Sequence, residues 1–224
     1  GRFSPVSPPA FLASLPVAQA HAKISALMAR EDRKDFVFPL KDLGLTYDKT
    51  IKIREFRLEK SAFKQLLKAQ GFWGRNAAEI ILSGQAPASV KFVNSACLIA
   101  DTNGTWNRDK RVMLRTRLNA KGERAVYAVV DASYPAHDLG DVSKVLFDLV
   151  TNPAAKMRLN YQPLTTEFAI EIHWPTKTVL TSVGDEFLGG LKVRSRDDGQ
   201  GALIVTDRLT RLACSNGLVL TGDG

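Results

Sequence analysis

The sequence is poor in cysteine and histidine, which limits the metal and redox chemistry that it can support. Its 224 residues include two cysteines, Cys97 and Cys214, and three histidines, His21, His137 and His173. No C-x-x-C pair and no metal-ligand spacing joins them, so we predict no zinc site, no other metal and no cofactor. Two distant cysteines favour reduced thiols in a cytoplasmic protein, although a disulfide between them stays open.

Long apolar runs and nucleotide-binding motifs are also missing. No segment approaches the ~18 apolar residues of a membrane-spanning helix, and the apolar stretch 8–22 is interrupted by Pro8, Pro9 and Pro16. That stretch lacks the charged start and cleavage site of a signal peptide, so we expect no membrane partner. Neither a G-x-x-x-x-G-K-[ST] loop nor a G-x-S-x-G elbow is present, which disfavours an ATPase and a serine hydrolase.

Positive charge exceeds negative charge along the chain. There are 31 Lys and Arg residues against 23 Asp and Glu, which gives a formal net charge of +8. This balance suits a polyanion such as nucleic acid. The alternative is that the charge serves solubility only. A hydrophobic fraction of 45% is ordinary for a globular protein.

The order of predicted elements favours an α+β fold, with helices packed on one face of a largely antiparallel sheet. Residues 1–20 predict an extended N-terminal arm, and residues 21–224 predict a single domain. Phe11 and Leu12 either contact a neighbouring subunit or belong to a loosely attached terminus. Helices are predicted at 18–30, 62–70 after Ser61 as N-cap, 77–82, and 142–150 after Asp141 as N-cap. Strands are predicted at 90–100, 111–118, 124–130, 168–174 and 178–183.

Two β-hairpins and one loop carry the basic residues of interest. Side chains alternate along a strand, so 111–118 and 191–196 each present a basic face, and the turn 197–201 closes the second hairpin. The predicted nucleic-acid contacts are Trp106, Arg108, Lys110, Arg111, Arg115, Arg117, Lys192, Arg194 and Arg196. Arginine binds phosphate through paired hydrogen bonds, and an aromatic ring stacks on bases. The alternative is a solvated basic face with Trp106 anchored in the core.

Two smaller features have structural explanations. Gly189 and Gly190 predict a bulge or bend in the second hairpin. Trp73 beside Arg75 repeats the pairing of an aromatic with a basic residue, but a core position for Trp73 is favoured.

The stretch 183–220 carries a resemblance to a known family. A Gly-Asp turn, a Gly pair, a basic strand, an Asp-Gly turn and a second strand lead to Arg211-Leu212-Ala213-Cys214-Ser215-Asn216-Gly217. Together with Met113–Arg117 and Ser133-Tyr134, this pattern resembles the phage- and plasmid-like proteins of domain of unknown function 932, over roughly 112–220. That family is associated with recombination and DNA maintenance, so the resemblance implies a DNA-handling role.

These observations lead to the hypothesis of a single-stranded DNA-binding protein that promotes strand annealing in phage or plasmid recombination. It would act without catalysis, as a homo-oligomeric ring or filament. By fold analogy, the hairpin 111–130 and the helix 141–150 are compatible with the β-β-β-α core of annealing proteins of the RecT and RAD types. One alternative is a metal-dependent nuclease, in which carboxylates such as Asp185 converge on a metal ion. The other is a phage or plasmid interaction module with incidental charge.

Overall fold

The protein contains two β-sheets accompanied by helices, as a computed structural model describes for residues 1–74, 76–179, 186–211 and 219–220. The prediction of an α+β fold is confirmed. Along the chain the elements are β1 (Ala10–Pro16), α1 (Val17–Glu31), β2 (Lys34–Pro39), a 3-10 turn (Leu40–Asp42), β3 (Leu45–Asp48), β4 (Thr50–Ile53), β5 (Phe56–Leu58), α2 (Lys60–Ala69), α3 (Ala77–Leu82), α4 (Ala86–Thr102), β6 (Arg111–Leu118), β7 (Arg124–Asp131), α5 (Leu139–Leu149), β8 (Lys156–Gln162), β9 (Glu167–Val179), β10 (Glu186–Arg196), β11 (Ile204–Arg211) and β12 (Val219–Leu220).

The chain divides into two compact units. Unit 1 comprises residues 1–7 and 29–135, and unit 2 comprises residues 8–28 and 136–224. The sequence favoured an arm over 1–20 and one domain over 21–224. In the structure, residues 10–16 form β1, which pairs antiparallel with β8 of unit 2. The pairing partner lies far along the chain, and a local sequence pattern does not reveal such a contact.

Unit 1 is built around a six-stranded sheet in the order β2-β6-β7-β5-β4-β3. Its pairs are antiparallel except for β5 with β7, which run parallel. Helix α2 buries Ala62, Phe63, Leu66 and Leu67, whose helical spacing places them on one side, in the core that contains β6 and β7. The prediction of Ser61 as N-cap is wrong, because α2 begins at Lys60 and the Ser61 hydroxyl donates to the Tyr127 carbonyl oxygen at 3.0 Å.

Helix α4 replaces the strand that was predicted over 90–100. It runs from Ala86 to Thr102, with a proline in its first turn, a position that suits the fixed φ of proline. Its buried residues are Ala86, Ser89, Val90, Val93 and Cys97. Spacings of three or four residues place them on one helical face, whereas the sequence prediction matched a short apolar run to strand alternation.

Unit 2 is built around a second six-stranded sheet, sheet A, in the order β1-β8-β9-β10-β11-β12, with antiparallel pairs throughout. Ile24 of α1 and Leu146 of α5 pack with Leu159 and Ile170 in a second core. Helix α5 begins at Leu139 with Asp138 at the N-cap position, so the prediction of Asp141 as N-cap is wrong.

The predicted association of the first hairpin with the α5 helix is also wrong. The apolar side chains of β6 and β7 belong to the core of unit 1, whereas the buried side chains of α5 belong to the core of unit 2. The hairpin and the helix therefore do not share one β-β-β-α core.

The second hairpin forms as predicted. Strands β10 and β11 pair from Phe187 with Arg211 to Arg194 with Ile204. The register of β9 with β10 shifts between Leu188 and Gly190, which confirms the predicted bulge. Strand β9 runs through position 175, where two strands were expected. The Gly-Asp turn at 184–185 and the Cys214 to Gly217 segment lie outside the described residues.

Candidate nucleic-acid interface

Sheet A has one buried face and one polar face. Leu159, Ile170 and Val193 point into the core, and their neighbours in the strands point the other way. The register places the polar residues side by side, and we call this surface the outer face. Its basic residues are Lys156, Arg158, Lys192, Arg194, Arg196 and Arg208, its carboxylates are Glu167 and Glu171, and His173 and Asn160 also lie there.

The outer face carries an excess of positive charge around one carboxylate. Glu171 of β9 lies between β8 and β10 and forms ion pairs with Arg158, Lys192 and Arg208. The Lys192 ammonium is 3.2 Å from Glu171 Oε1. A single carboxylate balances only one of three cations, so this cluster retains the positive charge that an anion requires.

Burial and the neighbouring positive charge lower the pKa of two groups on this face. Burial and then the Arg158 guanidinium lower the pKa of His173. The same two causes lower the pKa of Arg208, which remains charged because arginine does not lose its proton in proteins. His173 therefore favours its neutral form, and the basic side chains supply the positive charge of the outer face.

The three predicted contacts of the second hairpin all lie on the outer face. Lys192 pairs with Glu171, the Arg194 guanidinium lies 3.2 Å from Glu167, and the Arg196 guanidinium lies 2.6 Å from Asp198 in the turn. The Arg194 side chain is 53% exposed. These residues are brought together as the sequence predicted, with carboxylates that compete for them.

Exposed apolar side chains flank the basic residues. Phe11 of β1 is opposite Asn160 of β8 in the pairing, which places its ring on the outer face, and it is 69% exposed. Ile204 of β11, opposite Arg194, is also exposed. An aromatic ring beside arginines is a combination that stacks with bases while phosphates are bound.

The predicted basic face of β6 is not a surface. Arg115 and Arg117 are 1% and 3% exposed, so the prediction that they project from an accessible strand face is wrong. The Arg115 Nε lies 3.3 Å from Asp35 Oδ1, and Arg117 forms two hydrogen bonds with Glu59. Strand β6 is buried on both faces, which the continuous apolar run of its partner β7 could have indicated.

The other predicted contacts at or before the start of β6 lie in different environments. Arg111 is exposed at the start of β6, the Arg108 guanidinium lies 2.9 Å from Asp101, and the Lys110 ammonium lies 3.5 Å from Asp131. Trp106 packs against the core of unit 1. Its ring therefore fits the alternative of a core anchor under the loop better than that of a stacking platform.

Comparisons with family models, with curated proteins and with solved structures returned no match. The resemblance to domain of unknown function 932 stays a prediction. Among the described residues, no three His, Cys, Asp or Glu side chains are grouped to hold a metal ion, and no helix is both long and apolar enough to cross a membrane. Asp185, named for the nuclease alternative, lies outside the described residues.

The predicted nucleic-acid contacts did not include three basic residues of the outer face, Lys156, Arg158 and Arg208, nor the carboxylate of Glu171. A signal for Arg158 was present, because residues 156–162 alternate strictly between polar and apolar side chains. Glu171 and Arg208 lie on other strands, and only the register of sheet A brings them to Arg158.

Proposed function

We propose that the protein binds single-stranded DNA on the outer face of sheet A. The observation that carries the proposal is the register of β8 to β11, which gathers six basic side chains and two carboxylates on the outer face, where Arg194 is exposed and Glu171 and Arg208 are largely buried. Phosphates would bind the arginine and lysine side chains, which hold them through charge-assisted hydrogen bonds.

The composition of this face favours a single strand over a duplex. A single strand has unstacked bases that an exposed ring can receive, whereas the bases of a duplex are stacked on each other. Phe11 offers that ring at one edge of the basic cluster. Binding through phosphates and ring faces does not depend on base sequence.

The finer proposal is that the bound strand is presented for annealing. Phosphate contacts on the protein leave base edges available to a complementary strand, and the mechanism requires no covalent step. The phage or plasmid recombination context, and assembly into a homo-oligomeric ring or filament, rest on the sequence resemblance.

The test is binding of a fluorescently labelled single-stranded oligonucleotide across a salt series, with duplex DNA as the comparison. On a single strand, the logarithm of affinity falls with the logarithm of salt by about 0.7 for each phosphate that the protein neutralises. Lys192→Gln with Arg194→Gln should weaken binding and flatten this slope by about 1.4.

A matched control removes the same charge from the helices that pack on the opposite side of sheet A. Lys23 of α1 and Lys144 of α5 are exposed, and the variant Lys23→Gln with Lys144→Gln should keep the wild-type slope. Equal slopes for both double variants, or no binding by the wild type at low salt, would overturn the proposal. If binding is confirmed, the rate at which complementary oligonucleotides pair, with and without the protein, tests the annealing role.

A further inference from the structure

Unit 1 contains a cavity of about 410 Å³ beside α2 and α3, which the binding surface on sheet A does not include. Its lining includes Leu67, which is buried, together with Phe72, Trp73, Lys64 and Lys68. A volume of this size falls within the range of small-molecule pockets. The lining combines apolar surface, an aromatic ring and two cations.

The Trp73 side chain is 75% exposed, so the predicted core position is wrong. It lies in the turn between α2 and α3, where Gly71 and Gly74 have φ of 89° and 135°. These angles are accessible to glycine at little cost, and Gly71 directly follows the C-cap residue of α2, where a positive φ is typical of a helix end. A tryptophan of this exposure has a ring available to a ligand.

Lysines at four-residue spacing line one side of α2. The ammonium groups of Lys60 and Lys64 each lie 3.1 Å from Glu79 Oε1, and these hydrogen bonds lower the pKa of Glu79. The Lys68 ammonium lies 6.0 Å from the centroid of the Trp73 ring. Glu79 pairs with Lys60 and Lys64, and its one carboxylate balances only one of the three positive charges on this side of α2. The edge of the cavity therefore has a net positive charge.

We propose that this cavity binds a nucleobase together with its adjoining phosphate. The Trp73 ring stacks on the base, because every base presents a π-face, and Lys64 and Lys68 bind the phosphate. The charge of the lysines selects an anionic ligand, and the ring selects a flat one. A free mononucleotide and a nucleotide within a single strand share this chemistry. The proposal stands on the unit 1 cavity alone and does not depend on binding by sheet A.

The experiment follows tryptophan fluorescence while deoxyadenosine monophosphate is added to the full chain. Stacking on Trp73 should quench the emission, and Trp73→Phe should remove this quenching, whereas Trp106→Phe should retain it because Trp106 packs against the core. Lys64→Gln with Lys68→Gln should weaken binding by roughly tenfold or more, as expected for lost charge-assisted hydrogen bonds. Lys41→Gln with Lys52→Gln, which removes the same charge elsewhere in unit 1, should not.

Parallel titrations identify the ligand. Deoxyadenosine should quench more weakly than its monophosphate, and equal quenching would overturn the role of the lysines. Quenching by a short oligonucleotide and not by the monophosphate would assign the cavity to a nucleotide within a strand. Absence of quenching by both ligands, or quenching that Trp73→Phe leaves unchanged, would overturn the proposal. Lys192→Gln with Arg194→Gln separates it from the first proposal, because that variant should still bind the monophosphate.

Discussion

Arg117 and Glu59 form a doubly hydrogen-bonded ion pair in the interior of unit 1. The Arg117 Nε donates to Glu59 Oε1 at 3.0 Å, and Nη2 donates to Oε2 at 2.8 Å. The Arg117 guanidinium also lies 4.8 Å from the centroid of the Tyr127 ring. The pair joins β6 to the residue that precedes α2, so an arginine that the sequence assigned to DNA contributes to the fold.

Removing one member of this pair should destabilise the protein strongly. Arg117→Met leaves the Glu59 carboxylate buried without this partner, which costs about 3–5 kcal/mol in typical buried pairs. Urea denaturation measures the free energy of unfolding. The comparison variant is Arg57→Met, which breaks the half-exposed pair with Glu123 and should cost about 1 kcal/mol or less. Similar losses for the two variants would contradict the buried position of Arg117.

Glu59 should make stability depend on pH in a direction that differs from that of a surface carboxylate. Burial raises the pKa of Glu59 above its ordinary value of 4.5, against the opposing effect of Arg117. The folded state therefore binds this proton more tightly than the unfolded state. The stabilisation of the folded state by this proton is complete below pH 4.5, and it is lost as the pH rises through the native pKa of Glu59.

The variant Glu59→Gln isolates this effect. From about pH 4 to pH 8, the free energy of unfolding of the wild type should fall relative to that of the variant. Asp32, Asp109 and Asp131 have lowered pKa values, and they cancel in the difference because both proteins carry them. A difference that does not change with pH would show that Glu59 has no raised pKa.

The two adjacent glycines of β10 should respond differently to alanine. A Cβ atom at Gly190 would lie against the Ile172 carbonyl oxygen, closer than the two atoms can approach, whereas a Cβ atom at Gly189 meets no atom within 4 Å. Gly190→Ala should therefore lower the free energy of unfolding by about 1–3 kcal/mol. Gly189→Ala should change it by about 0.5 kcal/mol or less. Thermal or urea denaturation measures the stability of both variants. A larger loss for Gly189→Ala than for Gly190→Ala would contradict the position of the bulge.

Cys97 should be unreactive in the folded protein. Burial raises the pKa of its thiol to about 11, so the reactive thiolate is roughly a thousandth of the total at pH 8. Cys214→Ser leaves Cys97 as the one thiol in the chain, and a colorimetric disulfide reagent then measures its rate of labelling. Slow labelling in buffer and rapid labelling in urea are expected. Rapid labelling in buffer would place Cys97 on an accessible surface.

The elements that were predicted well are those with strong local signals. Strand β6 has the predicted bounds, as does helix α3, and the β10–β11 hairpin forms around its Asp-Gly turn. Alternation and turn residues are patterns of a few neighbouring positions, so they can be recognised in the sequence without knowledge of tertiary contacts. Helix α4 was mistaken for a strand because a short apolar run fits both structures, and packing against the core decides between them.

The sequence by itself determined the local elements that have strong alternation or turn signals, the positive charge and the alternation of the basic residues along two hairpins. It did not distinguish Arg115 and Arg117 from Lys192 and Arg194, since both sets alternate with apolar residues. The tertiary structure decided that difference. Strand β6 is buried on both faces, whereas one face of β10 remains open. Burial depends on what packs against a strand, and those contacts come from residues distant in the chain.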